Sequence, residues 1–249
     1  MKKYSLGKTG ITVTELCFGA LPLGPLQANI SVEKGAKLIR AALEKGINFI
    51  DTAPAYGSSE KRLGRLLPGR HDWVIMTKVG EIFERGESRF DFSYDYTRQS
   101  VEQSLRTLRR DMIDIVLVHS DGNDMDIIKN EGAFEALEKL RQQGLIRAFG
   151  MSSKTVEGGI WVVEHCDVVM ATFNLETDEE LPVIQRAHEL NKGVVIKKGL
   201  QSGHASNVEH AFEHVLCQPG VSSMIVGTIN PKHLRENSDI ASHCCAASK

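Results

Sequence analysis

No window of the chain approaches the roughly eighteen continuous apolar residues of a membrane-spanning helix, so no such helix is expected. The two lysines after Met1 are followed by no apolar leader segment, and the expected location is cytoplasmic. Net charge is also scarce: 30 Lys and Arg against 32 Asp and Glu leave a formal charge of -2. No basic field gathers nucleic acid or an anionic membrane, so the expected partner is a small molecule, with the protein a monomer or weak homo-oligomer. The cysteines (Cys17, Cys166, Cys217, Cys244 and Cys245) lack metal-ligand spacing, and no metal is expected. Three of them lie in apolar or helical runs that suit a buried thiol. Linkers, low-complexity stretches and acidic tails are missing as well, so one domain over residues 1–249 is expected.

What is present is an alternation of short apolar runs and amphipathic segments. Apolar runs at 16–19, 47–50, 73–76, 113–118, 145–150, 168–171, 194–196 and 224–226 read as strands. Between them lie helical patterns. The first has Ser31 as N-cap and Gly46 just past its end; later ones cover 59–67, the face Val101, Leu105, Leu108 and Met112, then 134–140, 161–165, 181–190, 208–217 and 231–241. Continuous apolar strands, each followed by a helix, argue for a parallel sheet buried on both faces. Eight such units in 249 residues match a (β/α)8 TIM barrel, and the segment 6–13 reads as an N-terminal β-hairpin able to plug its lower end. A doubly wound sheet would normally carry G-x-G-x-x-G behind its first strand. Residues 18–24 (FGALPLG) lack that spacing.

Barrel chemistry sits at the C-terminal ends of strands, and four ionisable residues fall there: Asp51, Tyr56, Lys78 and His119. Each has a plain structural alternative, as a cap, packing, a snorkelling chain or a satisfied hydrogen bonder. Together their roles interlock. An ammonium at Lys78 would lower the pKa of the Tyr56 phenol, Asp51 would keep Lys78 charged, and His119 would orient a carbonyl or share the proton. An acid of this kind protonates a carbonyl oxygen while hydride comes from elsewhere. No side chain carries hydride, so a nicotinamide cofactor is implied.

These residues carry a resemblance to the aldo-keto reductases, of the short-C-terminus, microbial type. It runs from Leu6-Gly7-Lys8-Thr9-Gly10 through Asp51-Thr52-Ala53-Pro54-Ala55-Tyr56-Gly57, Thr77-Lys78 and the strand ending in His119 to the segment Val226–Asn237. The resemblance implies a reductase of aldehydes or ketones with Tyr56 as general acid, tuned by Lys78 and Asp51, with His119 orienting the substrate. The implied hydride donor is NADPH, with NADH possible. Implied cofactor contacts are Gly19, Asp51, Ser152, Ser153, Lys197, Leu200, Gly203, Gly227, Thr228, His233 and Asn237. Four positions depart from the family pattern: Ser153 replaces a common Asn, Met170 a common Gln, Lys197 a stacking aromatic, where it would meet phosphate or substrate charge or simply be solvated, and Gly227 a residue often cationic, for which Lys232 or His233 could compensate. No long C-terminal segment is expected to close over the substrate. The polar stretch 119–126 reads as a solvated acidic loop or a filter against anionic substrates. Two other functions compete: a cofactor-binding sensor with little turnover, and a lyase using Lys78 as a Schiff-base amine. Asp51 argues against the lyase by keeping that amine protonated.

Overall fold

Strands that are apolar on both faces must be covered on both, and a closed ring of strands inside a ring of helices does this without a free edge. The computed structural model describes residues 1–24, 30–67 and 72–244; Pro68, whose position marks the end expected for the helical pattern 59–67, and Cys245 lie outside them. A hairpin of β1 (Lys3–Ser5) and β2 (Thr12–Thr14) comes first. The first half of the barrel follows as β3 (Leu16–Gly19), α1 (Val32–Glu44), β4 (Phe49–Asp51), α2 (Ser59–Leu66) and β5 (Val74–Val79). A second hairpin, β6 (Glu81–Glu84) and β7 (Glu87–Phe90), precedes α3 (Tyr94–Leu108), β8 (Ile113–His119), α4 (Asp124–Asn130), α5 (Ala133–Gln142) and β9 (Ile146–Ser152). The chain continues through α6 (Val156–His165), β10 (Val168–Thr172), α7 (Leu181–Leu190), β11 (Gly193–Lys197), α8 (Val208–Leu216), β12 (Ser223–Val226) and α9 (Pro231–His243). The eight strands β3, β4, β5, β8, β9, β10, β11 and β12 pair in that order, all parallel, and β12 closes on β3.

Local chemistry accounts for the boundaries. Ser31 caps α1 by accepting from the Lys34 N–H at 3.2 Å, and Gly46, at φ +74°, turns the chain out of it. Leu6, Ile11 and Val13 of the first hairpin pack with the barrel-interior side chains Cys17, Phe49, Met76, Leu117, Val168 and Val195, so the hairpin plugs the end opposite the strand tips. The outward faces of the strands pack against the helices in a larger core that includes Phe18, Ile50, Trp73, Val101 and Phe212. Cys17 and Cys166 are buried thiols, but Cys217 is disulfide-bonded, which departs from the expectation for it.

Two further expectations need correcting, and one element was not expected. Met112 does not share a helical face with Leu108: α3 ends at Arg109, which is left-handed at φ +57°, and Met112 lies beyond it with 39% of its surface exposed. The acidic stretch after His119 is not wholly a solvated loop. Asp124 opens α4 and is buried, taking hydrogen bonds from Ser120 and from the backbone and side chain of Thr155, so its carboxylate ties α4 to the turn ahead of α6. The β6–β7 hairpin was not foreseen at all. Its signal is Arg85-Gly86, both at positive φ, between short segments that pair in antiparallel register.

Candidate active site at the barrel mouth

Strand register gathers the expected residues at one end of the barrel. Asp51 ends β4 level with Gly19 of β3, Lys78 lies next to last in β5, and His119 ends β8 level with Ser152 of β9. Tyr56 closes a single 3-10 turn, Pro54–Tyr56, directly behind β4, where Pro54 sets the entry and Gly57, at φ +63°, the exit. That turn brings the phenol back over the strand tips.

Lys78 is the hub. Its side chain is 2% exposed, and its Nζ donates to Asp51 Oδ1 at 2.5 Å, Thr52 O at 3.0 Å and the Tyr56 hydroxyl at 3.0 Å. An ammonium has three N–H groups, and all are committed. Burial by itself would strip its proton; the charge of Asp51, helped by Tyr56, overrides that and holds Lys78 well above its ordinary pKa. Tyr56 departs from expectation. Burial raises its phenol, Lys78 lowers it and Asp51 raises it, and the net shift is upward from 10.0, so the resting side chain is a protonated phenol. Because its oxygen accepts from Lys78, its own proton is left to point elsewhere, and Tyr56 lines a cavity of about 410 Å³.

His119 meets the ring of Tyr56 edge-on at 6.5 Å between centroids. Its Nδ1 lies 2.7 Å from Glu81 Oε2, close enough for an ion pair although the N–H direction misses a good hydrogen bond. Sequence reasoning missed Glu81, because only the β6–β7 hairpin carries it to His119. Ser88, on the other arm of the hairpin, donates to Glu81 Oε1 at 2.6 Å and fixes it. Interaction with His119 draws Glu81 down to about 2, while burial lowers His119 against the opposing pull of Glu81. Behind the site, Glu60 accepts from Thr77 at 2.6 Å and Ser104 at 3.2 Å, tying α2 and α3 to the strand that carries Lys78.

The expected cofactor residues divide. Gly19, Asp51, Ser152, Lys197, Leu200, Gly203 and Gly227 line the cavity that holds Tyr56, as does Met170. Leu200, Gly203 and Gly227 also line an adjoining cavity of about 700 Å³ with Thr228, His233 and Asn237 beside the start of α9. Through these shared residues the two cavities adjoin, one holding Tyr56 and Lys78 and the other reaching the start of α9. Ser153 lies outside both. It is fully buried, and its hydroxyl donates to Glu180 Oε1 at 2.9 Å. Lys197 is not a solvated lysine: its Nζ donates to Ser152 Oγ at 3.0 Å and Ser153 O at 2.5 Å, and burial pulls it down to about 8.

Comparison with known proteins follows the same line. The sequence model of the Aldo/keto reductase family matches residues 15–211. The chain is 28% identical to L-galactose dehydrogenase of Arabidopsis thaliana over 94% of this chain and 86% of that protein. It is 30% identical to D-threo-aldose 1-dehydrogenase of a Pseudomonas species over 78% of this chain and 68% of that one. Among solved structures, a putative aldo-keto reductase from Pseudomonas aeruginosa superposes with TM-score 0.92 at 49% identity, covering 96% of this chain and 94% of its own.

Proposed function

Because the chain belongs to the aldo/keto reductase family and is an oxidoreductase that reduces carbonyl groups with a nicotinamide cofactor, we propose that Tyr56 is its general acid. One observation carries this: the Tyr56 oxygen accepts from a Lys78 ammonium that is itself held by Asp51 at 2.5 Å. Burial keeps the phenol protonated at rest, and the phenolate left after donation forms against a cation already in place. That is stabilisation of a charge that develops only during the reaction. His119, facing the same cavity, orients the carbonyl oxygen toward Tyr56. In the reverse direction the same pair accepts the proton of an alcohol.

The cofactor, when bound, supplies or removes hydride. Residues that would hold it are Ser152 near the reacting end, Leu200 and Gly203 where the two cavities adjoin, and Thr228, His233 and Asn237 at the far end. We favour NADPH over NADH on the cationic Lys232 and the nearby His233 in the first turn of α9, although Lys232 also faces Glu236 at 3.6 Å. Fluorescence titration with each cofactor separates the two; equal or tighter NADH binding would reverse the assignment.

A lyase reading through Lys78 is opposed by the three hydrogen bonds that consume its N–H groups. The decisive experiment is Tyr56→Phe. Loss of kcat/KM for aldehyde reduction by about 10²-fold or more is expected, and a loss of only a few-fold would remove Tyr56 from the acid role. Cofactor binding without turnover on a broad carbonyl panel would instead mark a sensor.

A further inference from the structure

Neighbouring residues of β5 face opposite sides of the barrel wall. Met76 packs with the interior side chains, and Ile75 and Val79 with the outer core, so Lys78 points inward and Thr77 outward toward the helices. There the Thr77 hydroxyl donates to Glu60 Oε1 at 2.6 Å, and Ser104 of α3 donates to Glu60 Oε2 at 3.2 Å. Ser59, the preceding residue of α2, makes a second tie. Its hydroxyl gives its one hydrogen to Ala20 O at 2.8 Å, so the Thr52 hydroxyl, 2.9 Å away, is the donor to Ser59. Thr52 O is in turn one of the three acceptors of the Lys78 ammonium. From behind the wall, two consecutive residues of α2 thus hold the residue before Lys78 and a residue that binds it.

A carboxylate is a costly group to bury for a structural tie alone. Glu60 is 5% exposed, its contacts are hydroxyls, and among the described residues no cation lies within ion-pair distance of it. Burial raises it from its ordinary pKa, against the hydrogen bonds of Thr77 and Ser104 and the charge of Lys78 across the wall. Packing does not replace those bonds. Glu60, Ser104 and Pro54, which opens the turn carrying Tyr56, border a cavity of about 350 Å³. Atoms beside such a space lack partners on one side, so hydrogen bonds to a carboxylate, stronger than those to a neutral acceptor, are left to fix the strand.

We propose that Glu60 is a positioning residue for the reaction, acting through Thr77 to hold β5 where the Lys78 ammonium meets Asp51, Thr52 O and Tyr56 together. The proposal rests on the carbonyl-reductase reading of Tyr56 and extends it to a residue behind the site. Misplacing a reacting group by about 1 Å lowers a rate by roughly 10²-fold, so a smaller relaxation of β5 is enough for about tenfold in kcat.

Thr77→Val and Glu60→Ala each remove the bond, whereas Glu60→Gln keeps an acceptor for Thr77. With 4-nitrobenzaldehyde and NADPH, the first two should lower kcat about tenfold with the Kd of NADPH unchanged, and Glu60→Gln should stay within about threefold of wild type. Residues acting through one bond are not additive, so the double variant Thr77→Val/Glu60→Ala should be no worse than the poorer single one. A second readout needs no turnover. In heteronuclear NMR of the lysine ammonium groups, the Lys78 signal, identified by its loss in Lys78→Arg, should exchange with water faster in Thr77→Val and Glu60→Ala than in wild type. A tie that serves only stability would lower the urea midpoint but leave kcat per folded molecule and this exchange unchanged, which overturns the proposal. So does a Glu60→Gln protein as slow as Glu60→Ala, or losses that multiply in the double variant. Faster exchange in these variants, with aldehyde reduction intact in Tyr56→Phe, keeps Glu60 in its role and removes Tyr56 from the acid role. Should Glu60→Ala fail to fold, Thr77→Val against Thr77→Ser, which keeps the hydroxyl, decides: equal kcat and equal exchange in the two overturns the proposal.

Discussion

Two lysines at the mouth of this barrel show how far a residue's surroundings decide its chemistry. Lys78 and Lys197 are both desolvated at strand ends, yet one is held well above its ordinary pKa and the other drawn down to about 8. The difference is Asp51, 2.5 Å from Lys78, where Lys197 hydrogen-bonds to a hydroxyl and a carbonyl and the charge of Glu180 does not outweigh its burial. Asp51→Asn should therefore do more than slow the enzyme. With the carboxylate gone, burial becomes the dominant influence and the pKa of Lys78 falls. Neutral Lys78 cannot stabilise the Tyr56 phenolate, so the alkaline limb of the kcat/KM profile for reduction should move to lower pH. Leaving a buried ammonium without its partner should also cost about 3–5 kcal/mol, measurable by urea unfolding near neutral pH. An unchanged alkaline limb would separate Asp51 from the proton chemistry.

Among the elements, the β6–β7 hairpin is the one that alters the site. It leaves β5 through Gly80, at φ +100°, where a Cβ would stand 2.3 Å from Phe92 Cε1. Gly80→Ala thus meets two penalties, an unfavourable backbone region and a clash, which together should cost about 1–3 kcal/mol. The neighbouring residue is Glu81, so the substitution should also pull the carboxylate from His119 and lower kcat/KM. Thermal unfolding and the pH profile together test this, and a destabilised protein with an unaltered profile would show that Glu81 does not govern His119. The hairpin escaped sequence reasoning for a physical reason. Its strands are half-buried or exposed, so they lack the apolar run that marked every barrel strand, and only Arg85-Gly86 signals the turn. The acidic residues behind His119 misled in a related way: charge suggested solvent, but Asp124 is buried by hydrogen bonds that composition does not show.

For the molecule as a whole, the barrel separates stability from chemistry by placing them at opposite ends. The plug formed by Leu6, Ile11 and Val13 fills the end away from the strand tips. Leu6 is fully buried, and its Cγ would lie 2.7 Å from a Cβ placed on Gly193. Leu6→Ala should cost about 2–5 kcal/mol in urea unfolding, while initial rates per folded molecule stay at the wild-type level. A fall in kcat/KM would instead show that the plug and the mouth are coupled. The alternation of apolar strands and amphipathic helices was readable from sequence because burial on both faces demands apolar side chains. Strand-end positions for Asp51, Lys78 and His119 followed from it, since a run of hydrophobic residues has an end that can be seen. Sequence by itself thus determined the barrel and the side chains at its mouth. Only the tertiary structure decided that Glu81 reaches His119, that Ser153 turns into the wall toward Glu180, and that Tyr56 rests as a phenol above its usual pKa. Those outcomes depend on distances between segments far apart in the chain, and on the balance between desolvation and a neighbouring charge, which no local pattern encodes.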